Sequence, residues 1–254
     1  MSWELFDWTI IGPAFFAGLI ILSTHVPLGH QVLKRGIIFI DLAIAQVAGL
    51  GVIAADVMGW EHSGYKVQIA AVSAALIVAF ALNWTEKRWP KQQEALIGIL
   101  FILAATGGIL LLAGNPHGGE HLRELLVGQI LWSTWPSLIP IAGLYAGLLF
   151  VWFAFRDRFG PLGFYVIFAI AITASVQIVG IYLVFASLVI PALATSHFQS
   201  RNRLLIGYLI GAVSYFTGIA LSAIFDLPTG AIIVWTMAGV ALIVGFTLQD
   251  KRIT

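Results

Sequence analysis

Cysteine is absent from this 254-residue chain, and Asp, Glu, Lys and Arg together make up only 10% of it. Without cysteine, the protein can form no disulfide and has no thiolate to bind a metal or attack a substrate. A soluble domain contains about 25% charged residues. Here, 60% of the residues are hydrophobic and the mean hydropathy is +0.97. The composition is that of an integral membrane protein.

Other absences narrow the function further. The net charge is only +1, which gives no indication of nucleic-acid binding. No proline- or serine-rich linker and no block of charge separates a soluble domain, so we expect residues 1–254 to form one membrane domain. The chain also has no phosphate-binding loop of the GxxxxGKS/T type. Any ATP must therefore be hydrolysed by another chain, and the protein itself is not expected to be an enzyme.

The apolar segments predict an all-α, polytopic membrane protein, because about 20 apolar residues are needed to cross the hydrocarbon core. The predicted full spans are residues 8–28, 36–60, 67–84, 95–113, 136–155, 162–184, 204–225 and 231–248. Two apolar pieces are shorter: 125–132 is expected to be re-entrant or interfacial, and 185–198 reaches about halfway across. Lys and Arg concentrate in alternate loops, which places the N-terminus outside and the C-terminus inside if residues 185–198 cross or nearly cross.

The second predicted span, Gly36 to Trp60, carries two carboxylates, Asp41 and Asp56. A carboxylate at membrane depth costs about 3 kcal/mol on insertion scales, so it normally faces protein or water. The side chains that follow Asp41 at helical spacing are small, which suits close helix packing or a narrow passage. They are Ala45, Ala48, Val52 and Ala55. The alternative is a carboxylate that only packs or caps near a helix end.

Metal-ligand side chains cluster in the loop from Asn115 to His121, on the side poor in Lys and Arg. His117, Glu120 and His121 supply imidazole and carboxylate donors, and His62 in the other long outer loop adds one more. This pattern suits a transient site for a divalent cation. A polar loop whose histidines cap the following helix would have the same sequence.

The segment from Phe159 to Ser200 contains no Asp, Glu, Lys or Arg. Within it, Gly180 and Pro191 favour a broken helix, whose freed carbonyl groups must face protein or a cavity. Gln177 is a polar side chain just before this break. Outside this segment, Glu94 opens the fourth predicted span and is interpreted as an N-terminal charge favoured by the helix dipole.

Five motifs occur in order over nearly the whole chain. They are VLKR from Val32 with Asp41 after it, EALIGI from Glu94, LVGQIL from Leu126, VGIYLVFASLVIPALAT from Val179 and SAIFDLPTG from Ser222. Together they resemble the signature of the zinc/manganese-type ABC transporter permeases. The block that contains Gly180 and Pro191 is the most specific of the five.

The resemblance implies a permease subunit of the cytoplasmic or inner membrane that dimerises among membrane lipids and rests on two ATP-binding subunits. An external metal-binding protein would deliver the divalent metal, zinc or manganese, which is cargo; no covalently bound cofactor is implied. Asp41 corresponds to the family's pathway carboxylate and is therefore also a candidate metal ligand. Gln46, Asp56 and Gln177 complete the candidate pathway residues.

Two positions depart from the family pattern. The family usually has a histidine four residues after the aspartate, where this chain has Ala45, and Gln46 lies about 140° from Asp41 on an ideal helix. The inner loop Arg156–Pro161 is also shorter than the family segment that docks on the ATPase. Docking is therefore expected at another inner loop, such as Thr85–Glu94, or to be absent.

Two other classes of protein fit parts of the sequence. A stand-alone carrier driven by an ion gradient would use Asp41 as a proton or cation relay, and it would agree with the short inner loop. It does not explain the order of the five motifs. A membrane scaffold that transports nothing would explain neither Asp41 nor the broken helix.

Overall fold

The computed structural model describes residues 7–60, 65–155, 160–198 and 200–249. Within these ranges the chain is helical and contains no strand, which confirms the all-α class. The helices are α1 (Trp8–Arg35), α2 (Ile40–Val57), α3 (Tyr65–Arg88), α4 (Gln93–Leu112), α5 (Gly118–Val127), α6 (Trp135–Phe155), α7 (Pro161–Ala194), α8 (Ser200–Phe225) and α9 (Thr229–Gln249). Short 3-10 turns cover Pro90–Gln92 and Ile130–Trp132. The predictions for His62 and for most of the Arg156–Pro161 loop lie outside these ranges.

All of these helices except α5 are long and apolar enough to cross a membrane, which confirms the predicted spans in number. Their ends differ from the prediction because polar residues continue the helices. Helix α1 extends past Leu28 to Arg35 and ends at Gly36, which adopts a left-handed conformation with φ 69°. Lys34 and Arg35 occupy its last turn, where cationic side chains interact favourably with the helix dipole.

The predicted inner loop Thr85–Glu94 is mostly helical rather than open. Helix α3 continues to Arg88, and the 3-10 turn leads directly into α4. The Thr85 hydroxyl donates to Gln93 Oε1 at 2.9 Å, and Gln93 Nε2 donates to the Leu82 carbonyl at 2.9 Å. These bonds hold the ends of α3 and α4 together, so little free loop remains here to dock a partner.

Helix α7 is broken at Gly180, which has φ 76° and ψ 166°. Its two ends lie near the same end of α1: the guanidinium of Arg35 is 4.5 Å from the Phe164 ring centre, and the Thr195 hydroxyl is 3.4 Å from His30 Nε2. The arms 161–179 and 181–194 therefore run in opposite directions. The second arm corresponds to the short helix predicted at 185–198, but it begins four residues earlier because the chain reverses at Gly180. A short return segment of this kind agrees with the alternation of basic loops.

Pro191 does not break the helix, although the sequence favoured a break there. The helix continues to Ala194, and the Thr195 amide still donates to the Pro191 carbonyl at 3.2 Å. Proline lacks only its own N–H, and neighbouring groups can compensate for one lost bond in a membrane helix. The chain therefore reverses its direction at Gly180 and not at Pro191.

Helix α7 forms the centre of the bundle. It packs against α1, α2, α3, α8 and α9. In its most apolar stretch 67% of the residues are buried, against 22% in each of α4, α6 and α9. The three peripheral helices therefore present the apolar surface that faces lipid or another subunit.

Candidate functional site

Helix α2 links the two regions that carry the predicted site residues. Asp41 lies in its first turn and Asp56 at its other end. At about 1.5 Å per residue, the two carboxylates are separated by about 22 Å along the helix axis. In the orientation predicted from the distribution of Lys and Arg, Asp41, which follows the basic end of α1, is at the inner end of α2, and Asp56 is at the outer end. The two carboxylates belong to separate sites.

Asp41 is fully buried, with 0% of its surface exposed. Neither carboxylate oxygen has a hydrogen-bond partner in the described part of the chain. Its own amide and that of Leu42 act on it electrostatically without hydrogen-bond geometry, as expected for an acid at a helix N-terminus. The nearby Ala45 is buried and offers no ligand atom.

Glu94 lies beside Asp41, and the two carboxylates interact electrostatically. Glu94 Oε1 accepts a hydrogen bond from the Phe39 amide at 3.2 Å, just before α2 begins. Its other oxygen, Oε2, is buried without a partner among the described residues. Glu94 is in the first turn of α4, as predicted, but its contact with α2 was missed because 55 residues separate it from Phe39 in sequence.

An outer cavity of about 410 Å³ lies at the other end of α2. Its polar lining comes from α2, α5, α7 and the turn after α5. The polar residues are Asp56, His121, Glu124, Gln129 and Gln177. Three of these, Asp56, His121 and Gln177, were candidates from the sequence. Glu124 could have been found from its position three residues after His121, which places both side chains on one helix face.

Gln177 is held by an amide pair with Gln68 of α3. Gln177 Nε2 donates to Gln68 Oε1 at 2.9 Å, and Gln68 Nε2 donates back to Gln177 Oε1. The pair ties the first arm of α7 to α3 at the cavity wall. No local pattern in the sequence indicates Gln68, because 109 positions separate the two side chains.

The predicted metal-ligand loop does not converge on one point. His117 and Glu120 have 77% and 72% of their side chains exposed, and His117 Nδ1 is 3.8 Å from Glu120 Oε2. His121 alone of the three lines the outer cavity. Across the described ranges, no group of three or more His, Asp or Glu residues is placed to hold a metal ion. The loop therefore offers exposed donors rather than an assembled site.

Gln46 lies apart from Asp41, as the helical angle predicted. It lines a smaller cavity of about 110 Å³ between α2, α4 and α5. This cavity shares Ile53 and Leu125 with the outer cavity. Gln46 is therefore next to the outer cavity and contributes nothing to the surroundings of Asp41.

Two glycines fix the outer end of the bundle. The Gln129 amide donates to the Ile178 carbonyl at 3.1 Å, which uses one carbonyl freed by the break in α7. A Cβ atom on Gly128 would lie 2.1 Å from the Val179 carbonyl carbon, and one on Gly180 would lie 2.3 Å from the Gly128 nitrogen. This backbone contact places Gln129 and Gln177 at the same cavity, and the predicted re-entrant piece is the segment that makes it.

The model of a family described as the ABC 3 transport family matches residues 7–164 and 154–248 of this chain. The chain belongs to the ABC 3 transport family. It is 26% identical to the manganese transport system membrane protein MntC of Halalkalibacterium halodurans, with 98% of this chain and 90% of that protein covered. It is 23% identical to the high-affinity zinc uptake system membrane protein ZnuB of Haemophilus influenzae, with 89% and 92% covered.

A solved structure shares the fold of this ABC 3 family chain. It is that of PsaBC from Streptococcus pneumoniae in complex with Fab, with a TM-score of 0.75 and 20% sequence identity. The match covers 96% of this chain and 95% of the other.

Proposed function

We propose that this chain is the membrane-spanning permease subunit of an ABC transporter that moves a divalent metal ion, zinc or manganese, across the cytoplasmic membrane. The observation that supports it most is helix α2, which has a cavity lined by carboxylate and imidazole groups at one end and a buried carboxylate at the other. Membership of the ABC 3 transport family and relatives named for manganese and zinc transport support this function. Residues 1–254 form a single permease domain.

The outer cavity receives the cation in this proposal. Carboxylate, amide and imidazole groups replace part of the hydration shell of a divalent ion, and Asp56, Glu124 and His121 supply such groups. The exposed donors His117 and Glu120 lie beside it, where an external metal-binding protein delivers its cargo. Asp41 then offsets part of the dehydration cost deeper in the membrane.

The chain works with other subunits. It has no phosphate-binding loop, so a separate ATP-binding subunit hydrolyses ATP on the inner side. A second copy of this chain completes the pathway, and the exposed apolar faces of α4, α6 and α9 are available for that contact or for lipid. The inner surface that docks the ATPase is formed by the helix ends, since within the Thr85–Glu94 segment only a short 3-10 turn separates α3 from α4.

Reconstitution tests this function. The chain and its ATP-binding subunit are purified together, placed in liposomes, and supplied with the external binding protein loaded with manganese or zinc. The expected result is metal uptake that requires ATP, this chain and the ATPase subunit together. Uptake that proceeds without ATP and follows an imposed proton or sodium gradient would instead establish the stand-alone carrier.

A further inference from the structure

Two acidic side chains, Asp41 and Glu94, lie at the inner end of α2, on the first turns of two different helices. The hydrogen bond from the Phe39 amide to Glu94 Oε1 fixes Glu94 at the start of α2, two residues before Asp41. The carboxylates of Asp41 and Glu94 act on each other electrostatically. The packing of α2 against α4 therefore brings together two acids that are far apart in sequence.

Three oxygens of this pair are buried and accept no hydrogen bond from the described residues. They are both carboxylate oxygens of Asp41 and Oε2 of Glu94. A third acid at the same end of the protein behaves differently. Glu86 accepts from Arg35 Nη1 at 3.2 Å, and the same guanidinium lies against the Phe164 ring. The nearby arginine thus neutralises Glu86, and no described side chain donates to the three buried oxygens.

Two like-charged carboxylates placed near each other in a low-dielectric interior repel, and leaving their oxygens without partners is costly. A divalent cation between them would offset the repulsion and give these oxygens a partner. Carboxylate oxygen is the preferred ligand of hard cations of the Mg²⁺ and Mn²⁺ type, which usually bind one or two carboxylates and keep several waters. Ala45, one turn along α2, adds no imidazole.

We propose that Asp41 and Glu94 together form an inner binding site for a hard divalent cation, with Glu94 as the second ligand. This inference rests on the proposed function, because it assigns the pathway a second residue and an all-oxygen donor set. Glu94 therefore has two tasks: Oε1 caps the start of α2 and Oε2 binds the cation. The cation holds the inner ends of α2 and α4 together until the pathway opens inward.

The test measures Mn²⁺ binding to the purified full-length chain in nanodiscs by electron paramagnetic resonance. The informative variant is Glu94→Gln, because the glutamine oxygen can still accept from the Phe39 amide while the charge is lost. Asp41→Asn removes the other ligand, and the double variant removes both. Glu86→Gln is the matched control, since it makes the same chemical change to an acid that Arg35 already neutralises.

The expected result is that Glu94→Gln and Asp41→Asn each weaken one class of bound Mn²⁺ by at least about tenfold, a loss at the lower end of the range for disturbed metal sites. The double variant should lose no further class of bound Mn²⁺, because both acids serve one site. Glu86→Gln should bind as the wild type does. Unchanged Mn²⁺ binding by Glu94→Gln in a well-folded preparation would overturn the proposal and leave Glu94 as a cap of α2.

Uptake measurements separate this inference from the proposed function. If the chain transports metal with its ATPase and Glu94→Gln alters neither binding nor uptake, the inner site is wrong and the function stands. If the pair binds Mn²⁺ but no ATP-dependent uptake occurs, the site stands and the function is wrong. Binding of Zn²⁺ but not Mn²⁺ at the pair would overturn the assignment to a hard cation.

Discussion

The two ends of α2 place acidic side chains in opposite surroundings. At the outer end, Asp56 lines a cavity of about 410 Å³ with Glu124 and His121, where water can solvate the charges. At the inner end, Asp41 is buried and Glu94 is half-buried, and three of their oxygens are buried without a hydrogen-bond donor among the described residues. Solvated acids can capture an ion at little cost to the fold, whereas buried acids bind it more strongly because the dielectric is lower.

This difference predicts a division of function between the two ends of α2. Changes at the outer cavity should alter the metal concentration needed for half-maximal uptake, because they act on capture of the ion from solution. Changes at the inner pair should alter how fast metal crosses, because they act on the dehydrated ion. Four sets of variants test this division, beginning with one that should disrupt the packing at the outer end.

Gly180→Ala should have the largest effect. The φ of 76° and ψ of 166° at this residue are almost restricted to glycine, and a Cβ atom would lie 2.3 Å from the Gly128 nitrogen. The backbone strain alone costs about 1–3 kcal/mol, and the steric overlap adds to it. We expect most of the folded protein to be lost, as measured by fluorescence-detected size-exclusion chromatography.

Gly98→Ala is the control for this prediction. A Cβ atom at Gly98 meets no heavy atom within 4 Å, and alanine is the better helix former. Its yield and elution should match those of the wild type. A Gly180→Ala protein that also elutes and melts like the wild type would show that the contact between Gly128 and Gly180 does not hold the outer end together.

Asp41→Asn should have the next largest effect. It preserves shape and removes the charge, so the protein should assemble normally while uptake falls to about one tenth of the wild-type rate or less, as is typical when a metal site loses a partner. The measurement is ATP-dependent uptake of zinc and of manganese, normalised to membrane-inserted protein. Asp226→Asn is the control, because Asp226 is exposed at an outer turn and asparagine tolerates its φ of 52°.

Near-normal uptake of both metals by Asp41→Asn would assign Asp41 a packing role. A loss of yield with unchanged uptake per assembled complex would lead to the same conclusion. Only a loss of rate at normal assembly supports the division between the two ends of α2.

Local patterns in the sequence identified single residues better than pairs, at both ends of α2. Asp41, Asp56 and the break at Gly180 each stand out, because a charge or a glycine in an apolar run is visible without any partner. Glu94 was recognised only as a charge at a helix start and Gln68 was missed, because their importance arises from contacts with Phe39 and Gln177. Such long-range contacts follow from helix packing, which spacing along a single helix cannot specify.

The metal-ligand loop shows the opposite limitation. His117 and Glu120 are exposed, yet the closeness of the donors in sequence suggested a convergence that helix geometry does not provide. Helix α5 begins at Gly118, so Glu120 and His121 are neighbours on a helix and point in directions about 100° apart. Only His121 lines the cavity, together with Glu124.

Replacing both His117 and His121 with Ala should have a moderate effect of a different kind. These donors act before the ion is dehydrated, so the metal concentration for half-maximal uptake should rise about threefold to tenfold, equivalent to roughly 1 kcal/mol. The maximal rate should change little. Uptake by the double variant is compared with that of His121→Ala alone, which separates the cavity residue from the exposed one. If the maximal rate falls while the metal concentration for half-maximal uptake is unchanged, the loop takes part in translocation. The proposed division between capture at the outer end and translocation at the inner end would then be wrong.

The smallest expected effect concerns the amide pair between Gln68 and Gln177, which is exposed on the outer side. A hydrogen-bonded amide pair contributes about 0.5–1.5 kcal/mol, so Gln68→Met and Gln177→Met should each lower the melting temperature slightly and by similar amounts. The double variant should melt close to either single variant, because both changes remove the same contact. All three variants should raise the metal concentration for half-maximal uptake by less than the double replacement of His117 and His121 does. If Gln177→Met instead slows uptake while Gln68→Met does not, the Gln177 amide contacts the ion directly, and the capture region extends from the cavity wall into the translocation path.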